Sequence, residues 1–218
     1  MFENLLEFIP FMLEGSLTTL KIFILTLAIS LPLGLPFALG SRSGIFPLRV
    51  LCKAYVWIFR GTPLLLQLFF FYFFFPLVLG LQMNVFFTVV LTYVLNYAAY
   101  FAEIYRGGIN SIDKGQYEAA HALGLSKRQT MSDIILPQTM KVILPPVVNE
   151  AITLVKDTAL ASTLPIIELM KATNSAVNRM TDMTPFFYAA AIYLFMTFIL
   201  TLFAGRLERY FSRYDSKE

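Results

Sequence analysis

An all-α integral membrane fold with about five spanning helices is predicted by three observations. Of the 218 residues, 57% are hydrophobic, 22 of them Phe, and only 14% are charged; a soluble domain is usually about one quarter charged. Five stretches approach the length of about 20 mostly apolar residues that a bilayer requires. Lys and Arg alternate between connections, with 13 of the 17 on one side or its border. Basic residues accumulate in cytoplasmic loops, so this asymmetry places the N-terminus outside and the tail inside.

The spans fall at about 17–39, 55–79, 85–105, 143–164 and 186–203. Pro32, Pro36 and Gly34 in the first, and Pro63 and Pro76 in the second, should kink or end helices. The run Phe69–Phe75, with Tyr72, reads as packing and lipid-facing bulk. Arg60, at the border of the second span, should snorkel to the interface or cap a neighbouring helix end. Residues 168–184 form an external connection, read as a short helix plus loop. No repeat, linker or second domain interrupts the chain, so residues 1–218 read as one membrane domain. The N-terminus carries Glu3, Glu7 and Glu14 instead of the basic start of a cleavable signal, so the first span is expected to remain.

Several functions are excluded by what is scarce. One cysteine, Cys52, permits no internal disulfide, and one histidine, His121, gives no imidazole cluster for a metal. Neither a nucleophile–base pair nor metal-spaced carboxylates point to a membrane enzyme. No glycine-rich phosphate cradle with Lys-Ser/Thr is present, so ATP would have to be bound by another protein. Neither a cofactor nor a nucleic-acid partner is expected.

The charged stretch from Gln116 to Pro137 interrupts this apolar chain on the cytoplasmic side, within a loop at about 107–141. Gln116 to Leu123 favours helix. Gly124 suits a left-handed turn. Ser126 with Gln129 three residues later makes a capping box for a second helix, which Pro137 should terminate. Apolar Ala119, Ala120, Leu123, Met131, Ile134 and Ile135 would pack back on the bundle or into a partner groove. One physical reading is an interfacial helix lying on anionic lipid. The other is a lever for a partner.

The layout Glu118-Ala119-Ala120, three residues, Gly124, nine residues, Ile134, one residue, Leu136-Pro137 resembles the EAA signature of bacterial ABC importer permeases. That resemblance implies a coupling helix seated in a cleft of a separate ATPase. It assigns the contact to Glu118, Ala119, Ala120, Lys127 and Arg128, the bend to Gly124 and the end to Pro137. His121 is then a surface or packing residue.

Ionisable groups inside a span are costly and mark functional candidates. In the fourth span Glu150, Thr153 and Asp157 share one helical stripe, and Asn149, Thr153 and Lys156 an adjoining one. In the third, Asn96, Tyr100 and Glu103 share a face. Acid and base together suit a substrate bearing an ammonium and a carboxylate. The same groups could instead pair to hold the bundle, and Asn96 and Tyr100 could serve only as interhelical hydrogen bonds.

Phe59-Arg60-Gly61-Thr62-Pro63 with Gln67, Ala102-Glu103-Ile104-Tyr105-Arg106-Gly107-Gly108, and Lys156-Asp157-Thr158-Ala159-Leu160 resemble the polar amino-acid branch of these permeases. The resemblance spans about residues 17–210. It implies a membrane-embedded amino-acid site at Asn149, Glu150, Lys156, Asp157 and Thr158. It also implies an ABC ATPase, a second identical or different permease, and an extracytoplasmic solute-binding protein, all at the bacterial inner membrane. The alternative is an ion-coupled carrier or channel using Glu150 and Asp157, which would leave the EAA insert without a purpose.

Overall fold

The computed structural model describes residues 2–211, with side chains from Phe8 to Tyr210. Arg213 and Lys217 of the basic tail, and the Glu3 and Glu7 side chains, lie outside the described residues. Within that range the secondary structure is all helical, joined by short connections and without strands.

Helix α1 (Phe2–Ser41) runs on through Pro10, Pro32 and Pro36, so neither Pro32 nor Pro36, expected to kink or end the first span, ends it. Helix α4 (Val85–Ser111), capped by the Asn84 side chain accepting from the Phe86 amide at 2.8 Å, is the centre of the bundle. Its Tyr93, Tyr97 and Phe101 side chains are buried. Gly34 explains the close crossing of α1 and α4: a Cβ there would sit 2.9 Å from Phe101 Cβ and 3.0 Å from Ala102 N.

The expected second span is two helices. Helices α2 (Phe46–Gly61) and α3 (Leu64–Val78) meet at 109° across Thr62 and Pro63. Thr62 is extended (φ −117°, ψ 145°), as a residue preceding proline tends to be. Pro76, by contrast, lies inside α3.

Helix α5 (Lys114–Ala122) is capped by the Asp113 side chain, which accepts from the Gly115 amide at 2.6 Å. After the Gly124 turn, a helical run begins at α6 (Lys127–Gln129). It widens into a π turn over Thr130–Ile135 and continues as α7 (Leu136–Asp157). Pro137 therefore does not terminate the second helix of the insert. The Leu136 amide bonds to Met131 O, five residues back, so the missing Pro137 donor falls where the ladder is already changing register. The run closes in a 3₁₀ turn over Thr158–Thr163. Helix α8 (Leu169–Met180) and helix α9 (Thr184–Phe211) follow, as the connection reading anticipated.

Among the described residues three helices are long and apolar enough to cross a membrane (Phe8–Ser41, Val85–Ser111 and Thr184–Tyr210), and a fourth span is added where the bent α2–α3 pair counts as one crossing. The 22-residue α7 is not among them; its polar residues lower its hydropathy.

Candidate functional site

The break between α2 and α3 determines the site. Interrupting a helix inside a bilayer strands carbonyls that water cannot reach. Two buried amides satisfy them. Gln67 Nε2 donates to Phe59 O at 2.9 Å, to Thr62 O at 3.1 Å and to Thr62 Oγ1 at 2.8 Å. Asn96 Nδ2 donates to Phe59 O at 3.1 Å and to Gln67 Oε1 at 2.9 Å. Held open in this way, the break forms one wall of a pocket of about 430 Å³, with α4 and α7 as the others. That volume suits a small polar molecule.

Sequence reading put Asn96, Tyr100, Glu150, Thr153 and Asp157 on helix faces, and all five line this pocket. The Glu150–Thr153–Asp157 stripe faces it as the helical period requires. The Asp157 carboxylate accepts from Tyr97 OH at 2.7 Å, while Tyr93 OH donates to Asp157 O at 2.6 Å. Asn149 and Lys156 are exposed and do not line it. Thr158 is buried, its hydroxyl donating to Val155 O at 2.6 Å. Of the adjoining stripe, only Thr153, which it shares with the first, reaches the pocket.

Arg60 is the chief pocket residue that sequence reading did not assign to the site. Its guanidinium lies 5.3 Å from the Tyr100 ring centroid and 3.7 Å from Glu103 Oε1, on the pocket wall. Glu103 is also held by Arg106 at 2.5 and 2.8 Å. The pocket therefore presents two carboxylates on α7 and one guanidinium at the end of α2. Tyr97 and Gln67 were also missed as parts of this site. Their helix positions were legible, but their facing partners on other elements were not.

The insert is built locally. Gly124 adopts φ +76°, and a side chain there would meet nothing within 4 Å. Its need is therefore conformational. The Leu125 amide bonds to Ala120 O at 3.0 Å and the Gly124 amide to His121 O at 2.9 Å, a glycine-terminated helix end. Ser126 and Gln129 form the expected capping box, Ser126 N donating to Gln129 Oε1 at 3.0 Å. Ala120 and Ile135 pack back and are fully buried. Glu118, Ala119, Leu123, Lys127, Arg128 and Pro137 remain exposed. No group able to hold a metal occurs among the described residues.

A family model for the binding-protein-dependent transport system inner membrane component matches residues 30–213. The putative glutamine transport system permease protein GlnP of Rickettsia felis is 39% identical over 213 residues, covering 96% of this chain and 98% of its own. The arginine transport system permease protein ArtQ of Bacillus subtilis is 41% identical over 202 residues, 92% of each chain. A solved structure described as an amino acid ABC transporter with histidines superposes with TM-score 0.89 at 33% identity, covering 96% of this chain and 98% of that one. An inward-facing MetNI methionine ABC transporter superposes at 0.72 with 18% identity, over 93% and 94% of the two chains, a likeness of fold alone. Matched nearly end to end at this identity, the chain belongs to the binding-protein-dependent inner membrane components, the permease subunits of ABC importers: a multi-pass protein of the bacterial inner membrane, a transport component and not an enzyme.

Proposed function

We propose that this permease carries polar amino acids inward through the pocket at the α2–α3 break, driven by ATP hydrolysis in a separate ATPase. The observation that carries this reading is the pocket's charge layout. Glu150 and Asp157 stand on one wall and Arg60 on another, matching the ammonium and carboxylate of an amino acid. Relatives named for glutamine and arginine transport support the substrate class. Permeases of this family work with an ATPase and a binding protein.

In this reading the insert lies in the cytoplasm and residues 1–218 act as one domain with five crossings, α7 being the fifth. The exposed Glu118, Ala119, Lys127 and Arg128 contact the ATPase, beside the Gly124 bend. A second permease, identical or different, completes the pathway, because one such bundle encloses too little to be gated alone. Closure of the ATPase pair moves the insert, and the unbroken run from Lys127 to Asp157 carries that movement to Glu150 and Asp157. Access to the pocket then alternates between the two sides, each ligand acting through its preference for one conformation.

Reconstitution in liposomes with the ATPase and the binding protein tests this. Uptake of a radiolabelled amino acid should need internal ATP and should fall in Glu150→Gln. Full-rate uptake by the permease without its ATPase would overturn the reading.

A further inference from the structure

Beside the pocket wall that carries Arg60, one carboxylate is shared by two guanidinium groups. Glu103 follows Tyr100 by three residues on α4, so the two side chains are neighbours on one helical stripe. Arg106, three residues further on, grips Glu103 at two points. Its Nε donates to Glu103 Oε2 at 2.8 Å and its Nη2 to Glu103 Oε1 at 2.5 Å. A two-point grip of this kind fixes the plane of a carboxylate as well as its distance. Arg60 Nη1 approaches the same Oε1 at 3.7 Å. Arg60 and Tyr100 line the pocket, whereas Glu103 and Arg106 stand outside its lining.

The distances give the two arginines different parts. Arg106 occupies both Glu103 oxygens with hydrogen bonds. Arg60 stands too far away for one, and no hydrogen bond to a described residue uses its guanidinium N–H groups. Its other contact is the face of Tyr100, 5.3 Å from the guanidinium carbon to the ring centroid. A ring face attracts a cation without taking up its donors. Held by a ring and by a carboxylate at ion-pair distance, Arg60 keeps its planar fork of donors for a ligand. Glu103 and Arg106 would satisfy each other as an i, i+3 pair without it; the approach of Arg60 ties the end of α2 to α4 as well.

We infer that Glu103 is a positioning residue for substrate binding: clamped by Arg106, it holds the Arg60 guanidinium against Tyr100 and aims it at the substrate carboxylate. The inference rests on the proposed amino-acid site, in which Arg60 receives that carboxylate. Arg106 has the complementary part. By occupying both Glu103 oxygens it keeps Glu103 from closing on Arg60 and competing with the substrate.

The test uses the detergent-purified permease–ATPase complex. The probes are twenty radiolabelled amino acids and, for the one that the wild type binds most tightly, its amide, in which a carboxamide replaces the carboxylate. Binding is measured at a pH where both amines are protonated. The readout is the preference for acid over amide, which reports the group that meets the carboxylate. In the wild type it should be about tenfold, as a hydrogen bond to a charged group gives. Arg60→Gln should abolish it. Glu103→Gln keeps the shape without the charge and should lower the preference about two- to fivefold, the range of a partly exposed ion pair. Added to Arg60→Gln it should lower the preference no further, because its effect passes through Arg60. Arg106→Gln releases Glu103 onto Arg60 and should lower the preference too, which keeps the test open where Glu103→Gln does not assemble.

A full preference in Glu103→Gln and Arg106→Gln, whether both affinities fall together or neither falls, would overturn this inference alone, provided that Arg60→Gln abolishes it. A higher acid affinity in Glu103→Gln would make Glu103 a competitor of the substrate, with the same result. Full preference in Arg60→Gln would overturn the pairing of Arg60 with the substrate carboxylate, and the inference with it. So would a wild type that binds none of the twenty.

Discussion

The helical run from Lys127 to Asp157 ends in two differently built regions. At the insert end, polar groups close on their immediate neighbours. Ser126 and Gln129 cap each other across three residues, and the Gly124 turn is tied by amides to Ala120 and His121. At the pocket end, polar groups close across the bundle: Tyr97 to Asp157 is 60 positions apart, and Asn96 to Gln67 is 29. One end is tied by local bonds and leaves Glu118, Lys127 and Arg128 exposed. The other exists only when α2, α3, α4 and α7 are all in place. In the proposed mechanism a lever needs a rigid, accessible handle and a binding site needs several walls, and the two ends would divide these requirements.

The largest effect is expected where the bundle alone holds the geometry. Gln67→Leu removes the donor to Phe59 O and Thr62 O and the acceptor for Asn96. Each stranded buried group costs roughly 1–3 kcal/mol, so the complex should lose roughly 3 kcal/mol or more by thermal unfolding in detergent, together with amino-acid binding. A normal melting curve for this variant would mean that the α2–α3 break does not depend on the bundle, and the contrast would lose its basis.

Next comes Gly124→Val, which forces a β-branched residue to φ +76°, a true outlier for such a side chain. The local strain is about 1–2 kcal/mol, confined to an exposed turn. ATP-driven uptake should fall at least about tenfold if the helix end is displaced from its ATPase, while the melting temperature and amino-acid binding at the pocket should hardly change. Loss of pocket binding in this variant would show that the two ends are not separable. Ser126→Ala should act in the same direction and less: loss of the cap costs about 1 kcal/mol, read as a few-fold drop in ATP-stimulated uptake.

The same division explains what was legible from sequence. The Gly124 turn and the Ser126–Gln129 box depend on residues three to five apart, and both were readable. The faces carrying Glu150, Thr153 and Asp157, and Asn96 and Tyr100, follow from one helical period and were also readable. The place of Arg60 on the pocket wall was not legible, because it depends on the 109° bend that turns the end of α2 toward Tyr100 and Glu103. No local pattern specifies that angle. Asn149 and Lys156 were grouped with the site by resemblance and neighbouring stripe, and Thr158 by resemblance alone; the first two lie exposed off the pocket-facing stripe of α7, and Thr158 is buried in the 3₁₀ turn beyond its end. Pro137 was read as a stop because a proline's effect depends on the register it meets, and the π turn ahead of it was not apparent from composition.

The smallest effect concerns the charges on the handle. Lys127 and Arg128 are exposed at the start of the run, and Ser126 holds the backbone beneath them. Replacing both by Gln leaves the capping box intact, so the insert should fold and the pocket should bind amino acid normally. Under the proposed docking, what changes is attraction to an acidic cleft on the ATPase, worth about 0.2–1 kcal/mol per exposed pair. The variant should therefore bind its ATPase only about two- to fivefold more weakly at low ionic strength. The difference should shrink as salt shortens the screening length to about 8 Å near physiological strength. A salt-independent loss would place these side chains in a desolvated contact, making the handle a buried joint instead of an electrostatic guide. No loss at any salt concentration would leave Glu118, Ala119 and the exposed Leu123 as the surface that the motor grips.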